Sequence, residues 1–125
     1  MGIKILIVED LEIAQKIAKV TLMDLGHHVD IAETGQKALE MFQKNKYELI
    51  FMDIGLPDMS GIEVTEEIRK IENNKFHVPV VALTANYDES YKPVCLEAGM
   101  DDFMLKPLTV KKVKEVIEKY VTKQM

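Results

Sequence analysis

Five short apolar runs, each followed by a stretch of helical periodicity, constrain this chain more than anything else in it. "IKILIV" (3–8), "ELIFM" (48–52) and "PVVAL" (79–83) are almost unbroken in apolar character. Runs of that kind suit strands buried on both faces, as in a parallel sheet covered by helices. "HVDIA" (28–32) alternates and reads as an edge strand, and "DFML" (102–105) completes the series. Between the runs lie four clear helical stripes and one weak one. Ala14, Ile17, Ala18, Thr21, Leu22 and Leu25 recur at helical spacing, with Gly26 placed to end the helix. Thr34 can cap a helix carrying Ala38, Met41 and Phe42. Ser60 and Glu63 have capping-box spacing ahead of Val64, Ile68 and Ile71. Thr109 can cap a last helix with Val110, Val113, Ile117 and Tyr120 inward. The weak stripe, 88–98, contains Pro93, so that helix either begins near Ser90, with the proline in its first turn, or is kinked.

Five strand–helix units in succession predict a doubly wound α/β fold with a five-stranded parallel sheet. Right-handed crossovers place helices on both faces, and the commonest strand order is 2-1-3-4-5. The functional crevice then lies at the carboxyl ends of strands 1 and 3. The 125 residues suffice for one core, so 1–125 reads as a single domain. No apolar run approaches the ~18 residues of a membrane span. Nor does the first stretch carry a basic region with a cleavage site, so no secretory signal is expected. Cys95 is the lone cysteine, which excludes an internal disulfide and fits a small buried residue in a reducing compartment. A formal charge of −5 argues against direct nucleic-acid binding.

The predicted sheet gathers chemistry at one edge. Glu9 and Asp10 end strand 1, Asp53 ends strand 3, Thr84 ends strand 4, and Lys106 follows strand 5. Three neighbouring carboxylates raise one another's pKa, and a cation relieves that repulsion. A hard ion such as Mg²⁺ takes oxygen ligands of this kind, together with waters and phosphate oxygens. Lys106 adds a fixed positive charge and Thr84 a hydroxyl. Phosphoryl transfer calls for that set, and a carboxylate can itself be the nucleophile. Gly55, two residues past Asp53, leaves room beside it and offers a carbonyl.

Taken singly, each of these residues has a plainer reading. Glu9 and Asp10 could cap the first helix, Thr84 could stabilise a turn, and Lys106 could be a surface lysine. Their coincidence at matching strand ends favours a pocket. His27 and His28 lack acids or cysteines at ligand spacing and read as turn residues, and the eight methionines read as core filling. A dehalogenase-type phosphatase would place a second Asp where Gly55 stands. A flavin-binding relative would need a phosphate-cradling loop, which "EDLEIAQ" does not provide. No dinucleotide fingerprint or Walker loop is present.

The motifs "ILIVED", "MDIGLPDMSG", "VALTA" and "LKPL" resemble, along the whole chain, the receiver domains of two-component response regulators. "VALTAN" with "EAGMDDFMLKPL" is most similar to receivers of hybrid sensor histidine kinases. The resemblance implies a flavodoxin-like (βα)5 fold with Asp53 as phosphoacceptor. Asp10, Asp53 and the Gly55 carbonyl would bind Mg²⁺ directly, and Glu9 through water. Thr84 and Lys106 would hold phosphoryl oxygens, Phe103 would be the conformational-switch aromatic, and Lys106–Pro107 would be a cis peptide. Gly55 and Asn86 would line the pocket.

Such a domain catalyses its own phosphorylation and dephosphorylation. Its partners would be a histidine kinase dimerisation domain or a histidine-phosphotransfer domain. The setting would be the cytoplasm, either free-standing or as part of a membrane-bound hybrid kinase. A receiver that signals by docking alone is the alternative. Three features depart from commoner receivers: Glu9 replaces Asp, Phe103 lacks a tyrosine hydroxyl, and Pro93 interrupts the fourth helix. The last weakens the family's usual dimer face, so at most a weak homodimer is expected.

Overall fold

The computed structural model describes residues 2–85 and 88–122. Strands β1 (Lys4–Val8), β2 (His28–Ala32), β3 (Leu49–Asp53), β4 (Val80–Thr84) and β5 (Asp102–Leu105) alternate with helices α1 (Glu12–Asp24), α2 (Gly35–Lys44), α3 (Gly61–Glu72), α4 (Tyr91–Glu97) and α5 (Val110–Val116). A π-helical turn, Ile117–Val121, continues α5. All strand pairs are parallel, in the order β2-β1-β3-β4-β5, as the sequence predicts. The three central strands are the apolar runs, and every residue of β3 is buried. The two edge strands are the ones with mixed exposure.

Alternation along the strands builds two cores. Leu6, Val8, Ile50, Met52, Ala82 and Phe103 point to the face covered by α2, α3 and α4. Ile5, Ile7, Leu49, Phe51, Val81 and Leu83 point to the face covered by α1 and α5. Thr34, Ser60 and Thr109 cap α2, α3 and α5 by accepting from Lys37, Glu63 and Lys112 N–H. The Ser60 box is half made, because Glu63 returns no bond. α4 starts after Ser90 with Pro93 in its first turn, where the missing N–H costs no helical bond. Gly26 follows α1 with φ +89°. Among the described residues no helix is long and apolar enough to cross a membrane.

Three expectations need correction. Ile17, Ile71 and Val110, read as inward, are 43%, 38% and 44% exposed. Each sits at the flank of its stripe, whose centre is formed by the residues that stay buried: Ala18 and Leu22, Val64 and Ile68, and Val113. Glu9 and Asp10 do not cap α1. Its N-cap is Leu11, with no side-chain cap, and Glu9 is engaged by Lys106 instead. At the opposite, amino-terminal edge, buried Glu72 takes Arg69 at 2.8 Å and Val78 N–H at 2.7 Å. Arg69 also donates to Asp101 and the Gly99 carbonyl, joining α3 to the turn before β5.

Candidate functional site

Strand register places the acids. Val8 pairs with Met52 and Asp53 with Leu83, so Glu9, one residue past β1, comes level with Asp53. The ladder runs on past the strands: Glu9 N–H donates to the Ala32 carbonyl at 3.0 Å and Lys106 N–H to Thr84 at 2.8 Å. This backbone frame fixes where the side chains start.

Carboxylate oxygens of Glu9, Asp10 and Asp53 lie within 4.8 Å of one another. Glu9 and Asp53 are buried and Asp10 is exposed. The Lys106 ammonium bridges the buried pair: it contacts Glu9 Oε1 directly and stands 3.5 Å from Asp53 Oδ2. Leu11 N–H donates to Glu9 Oε2 at 3.2 Å, and Gly55 N–H donates to Asp53 Oδ1 at 3.1 Å. Burial, then the adjoining Glu9 carboxylate, pushes Asp53 up to about 6 against the pull of Lys106 and Gly55 N–H. Burial acts in the same sense on Glu9, but its bonds to Lys106, Asp53 and Leu11 outweigh that and hold it below the usual carboxylate value. Lys106 thus keeps Glu9 ionised, and Asp53 is the member of the pair that takes up a proton first.

Thr84 closes β4 beside Asp53, and with Gly55 and Lys106 it lines an open cleft over the Asp53 carboxylate. The close approach of α3 to this cleft depends on Gly61, because a Cβ there would collide with the Asp53 carbonyl oxygen. Lys106–Pro107 is cis. Phe103 is 7% exposed and already packed in the core opposite Ala82. Asn86 lies outside the described residues.

Some of the site's residues carry no sequence signal. Asp88 and Tyr91 line the cleft from the turn into α4. Gln15 Nε2 donates to the Glu9 carbonyl at 2.7 Å and steadies the acidic loop. Behind Lys106, an apolar groove of about 250 Å³ runs between α1 and Pro107, floored by Ile7, Ala18 and Leu83. Leu11, Ile13, Ile17 and Val20 stand exposed along α1 beside it. Ile13, Ile17 and Val20 recur at i, i+4 and i+7, and Ile17 falls within the spacing of the inward stripe as well.

The ligand atoms that converge here are all oxygens, from the carboxylates of Glu9, Asp10 and Asp53. That set fits a hard divalent cation and not a soft one.

A sequence model of the response regulator receiver domain matches residues 5–118. The chain belongs to that family. This receiver is 42% identical over 119 residues to the aerobic respiration control sensor protein ArcB of Escherichia coli K12, covering 95% of this chain and 15% of that protein. It therefore spans a small part of the curated relatives it matches. The solved receiver domain of the Pseudomonas aeruginosa sensor histidine kinase PA1611, described with a magnesium ion coordinated in its active site cleft, superposes with a TM-score of 0.87. That match has 34% identity and covers 98% of this chain and 99% of that one. A chain of the Saccharomyces cerevisiae co-crystal of the histidine phosphotransfer protein Ypd1 with the receiver domain of Ssk1 matches with a TM-score of 0.87 and 32% identity, over 98% of this receiver and 91% of that chain.

Proposed function

We propose that this receiver, comprising 1–125, accepts a phosphoryl group on Asp53 from a phosphohistidine in a two-component phosphorelay. The observation that carries the reading is the Asp53 carboxylate itself. It is buried at the end of β3, level with Glu9 and within reach of Lys106, yet opens into a cleft. With Asp53 pushed up to about 6, its carboxylate is mostly ionised at neutral pH and keeps more basicity than an ordinary aspartate. An Asp53 Oδ attacks phosphorus, the P–N bond breaks, and its electron pair stays on the departing imidazole. Lys106 swings from the carboxylates to a phosphoryl oxygen, and the Thr84 hydroxyl orients another.

Asp10, Asp53 and the Gly55 carbonyl would hold Mg²⁺, with Glu9 acting through water. The ion would neutralise the charge that gathers on the phosphoryl oxygens. The magnesium described in the PA1611 receiver supports this assignment.

Thr84 and Phe103 form the switch. Because the Phe103 ring is already buried, phosphorylation would lock an existing packing through Thr84 and so shift a population, rather than draw the ring inward. Lacking a hydroxyl, the ring couples more weakly than tyrosine would.

The donor is a histidine-phosphotransfer bundle or a kinase dimerisation helix, docking over the exposed Leu11, Ile13, Ile17 and Val20 of α1. The Ypd1 co-crystal supports a donor of this class. The hybrid signal transduction histidine kinase F of Dictyostelium discoideum, 37% identical over 121 residues, supports a relay of the hybrid-kinase type, and a cytoplasmic setting goes with that reading. Intact mass after incubation with acetyl phosphate and Mg²⁺ tests the reading. Wild type should gain one phosphoryl group, and Asp53→Asn none. Equal labelling of the Asn variant would overturn Asp53 as acceptor.

A further inference from the structure

The loop that carries Gly55 is moored to a helix that has no part in the chemistry. Its two ends are set by the backbone: Ile54 N–H donates to the Leu83 carbonyl at 3.3 Å, and Gly61 N–H donates to Ile54 at 2.8 Å. Between them, Asp58 reaches across to the first turn of α2. Its Oδ1 accepts Gly35 N–H at 2.8 Å and its Oδ2 accepts Gln36 N–H at 2.9 Å. Two of the unpaired amides that open α2 are therefore satisfied from another loop, and Thr34 takes the third from within. The packing is as close as the bonding. A Cβ on Gly35 would strike the Met59 side chain, so Gly at 35 lets the loop lie directly on the helix. α2 is itself a firm mooring, because Ala38 and Phe42 are buried in the core.

We propose that Asp58 is a positioning residue for the metal and phosphoryl site: by clamping the β3–α3 loop to the first turn of α2, it fixes the Gly55 carbonyl beside Asp53. The inference rests on the phosphoacceptor reading above. A ligand carbonyl placed by loop backbone is only as well directed as the loop, and outer contacts of this kind typically set metal affinity as strongly as they set stability. The two hydrogen-bonded amides also hold the Asp58 carboxyl below its ordinary value, so the clamp stays ionised at neutral pH.

The test separates positioning from helix stability, using full-length protein and calorimetric titration with Mg²⁺ alone. Asp58→Ala should weaken Mg²⁺ binding roughly tenfold. Phosphoryl uptake from acetyl phosphate should then recover when Mg²⁺ is raised to saturate the variant. Asp58→Asn, which keeps one acceptor oxygen, should restore part of the affinity. Thr34→Ala removes a cap from the same helix without touching the loop, so it should lower Tm yet leave Mg²⁺ affinity within about twofold of wild type. If Asp58→Ala binds Mg²⁺ as wild type does, or if Thr34→Ala weakens binding equally, the inference is overturned and Asp58 is a helix cap only. A wild type that neither binds Mg²⁺ nor takes up phosphoryl would overturn the phosphoacceptor reading itself, and this inference with it.

Discussion

Asp53 is held in an environment that raises its basicity at a cost to the stability of the fold. Its carboxyl is raised to about 6 by burial and by Glu9, above the ordinary 3.8. A raised folded-state pKa contributes stability that is full below the unfolded value and is lost as pH climbs through the folded value. Metal-free protein should therefore lose stability between about pH 4 and pH 6.5, by up to about 3 kcal/mol for a shift of this size. Asp53→Asn, which cannot ionise, should lack this loss over that window and melt higher than wild type at pH 7. Thermal denaturation in chelator across the pH range measures both curves. Parallel curves for wild type and variant would show that the pocket does not strain Asp53. The position of this residue was legible because a strand end fixes it, but its strain was not. The strain comes from burial at the sheet edge and from Glu9, which lies 44 residues away and meets Asp53 only once the sheet is formed.

Elements were legible where burial is two-sided. β1, β3 and β4 read correctly because a run of apolar residues has no other stable use in so short a chain. Helix faces were less legible. α1 carries two adjacent apolar stripes: Ala18 and Leu22 face the sheet, while Ile13, Ile17 and Val20 face out. Sequence spacing shows both, but only packing tells which one the core takes. The most exposed part of this stripe contributes little to folding, and an exposed apolar row of this kind suits a docking surface. Ile13, 74% exposed, should tolerate Glu with a stability change within about 0.5 kcal/mol. Ile17, partly tucked against the groove behind Lys106, should cost more. Ile13→Glu should nevertheless slow phosphoryl transfer from a phosphorylated histidine-phosphotransfer domain, while labelling by acetyl phosphate proceeds as in wild type. Rapid-quench transfer assays with both donors decide the matter. An equal rate from the protein donor would exclude this face of α1 from the interface.

On the scale of the whole molecule, the fold sends every strand's carboxyl end to one edge, and a chain of net charge −5 places three of its acids there within 4.8 Å. That convergence follows from the parallel topology, so the site could be read from strand ends alone. Residues outside the strand ends, such as Gln15, Asp58 and Asp88, could not. They join the site through turns whose geometry local sequence does not determine. The same topology predicts how the molecule answers a cation. Mg²⁺ binds the assembled edge better than the unfolded chain, where Asp53 is far from Glu9 and Asp10, so it should raise Tm. At a hundredfold excess over Kd the gain is about 2.7 kcal/mol. Asp10 is the acid that exposes this most cleanly. It lies at the surface, while Glu9 and Asp53 are buried and paired with Lys106. Asp10→Ala should therefore leave the metal-free Tm nearly unchanged and remove most of the Mg²⁺-dependent rise. Differential scanning calorimetry with and without millimolar Mg²⁺ makes the comparison. Full retention of the rise in Asp10→Ala, or no rise in wild type, would mean that the acids meet at this edge without forming a metal site.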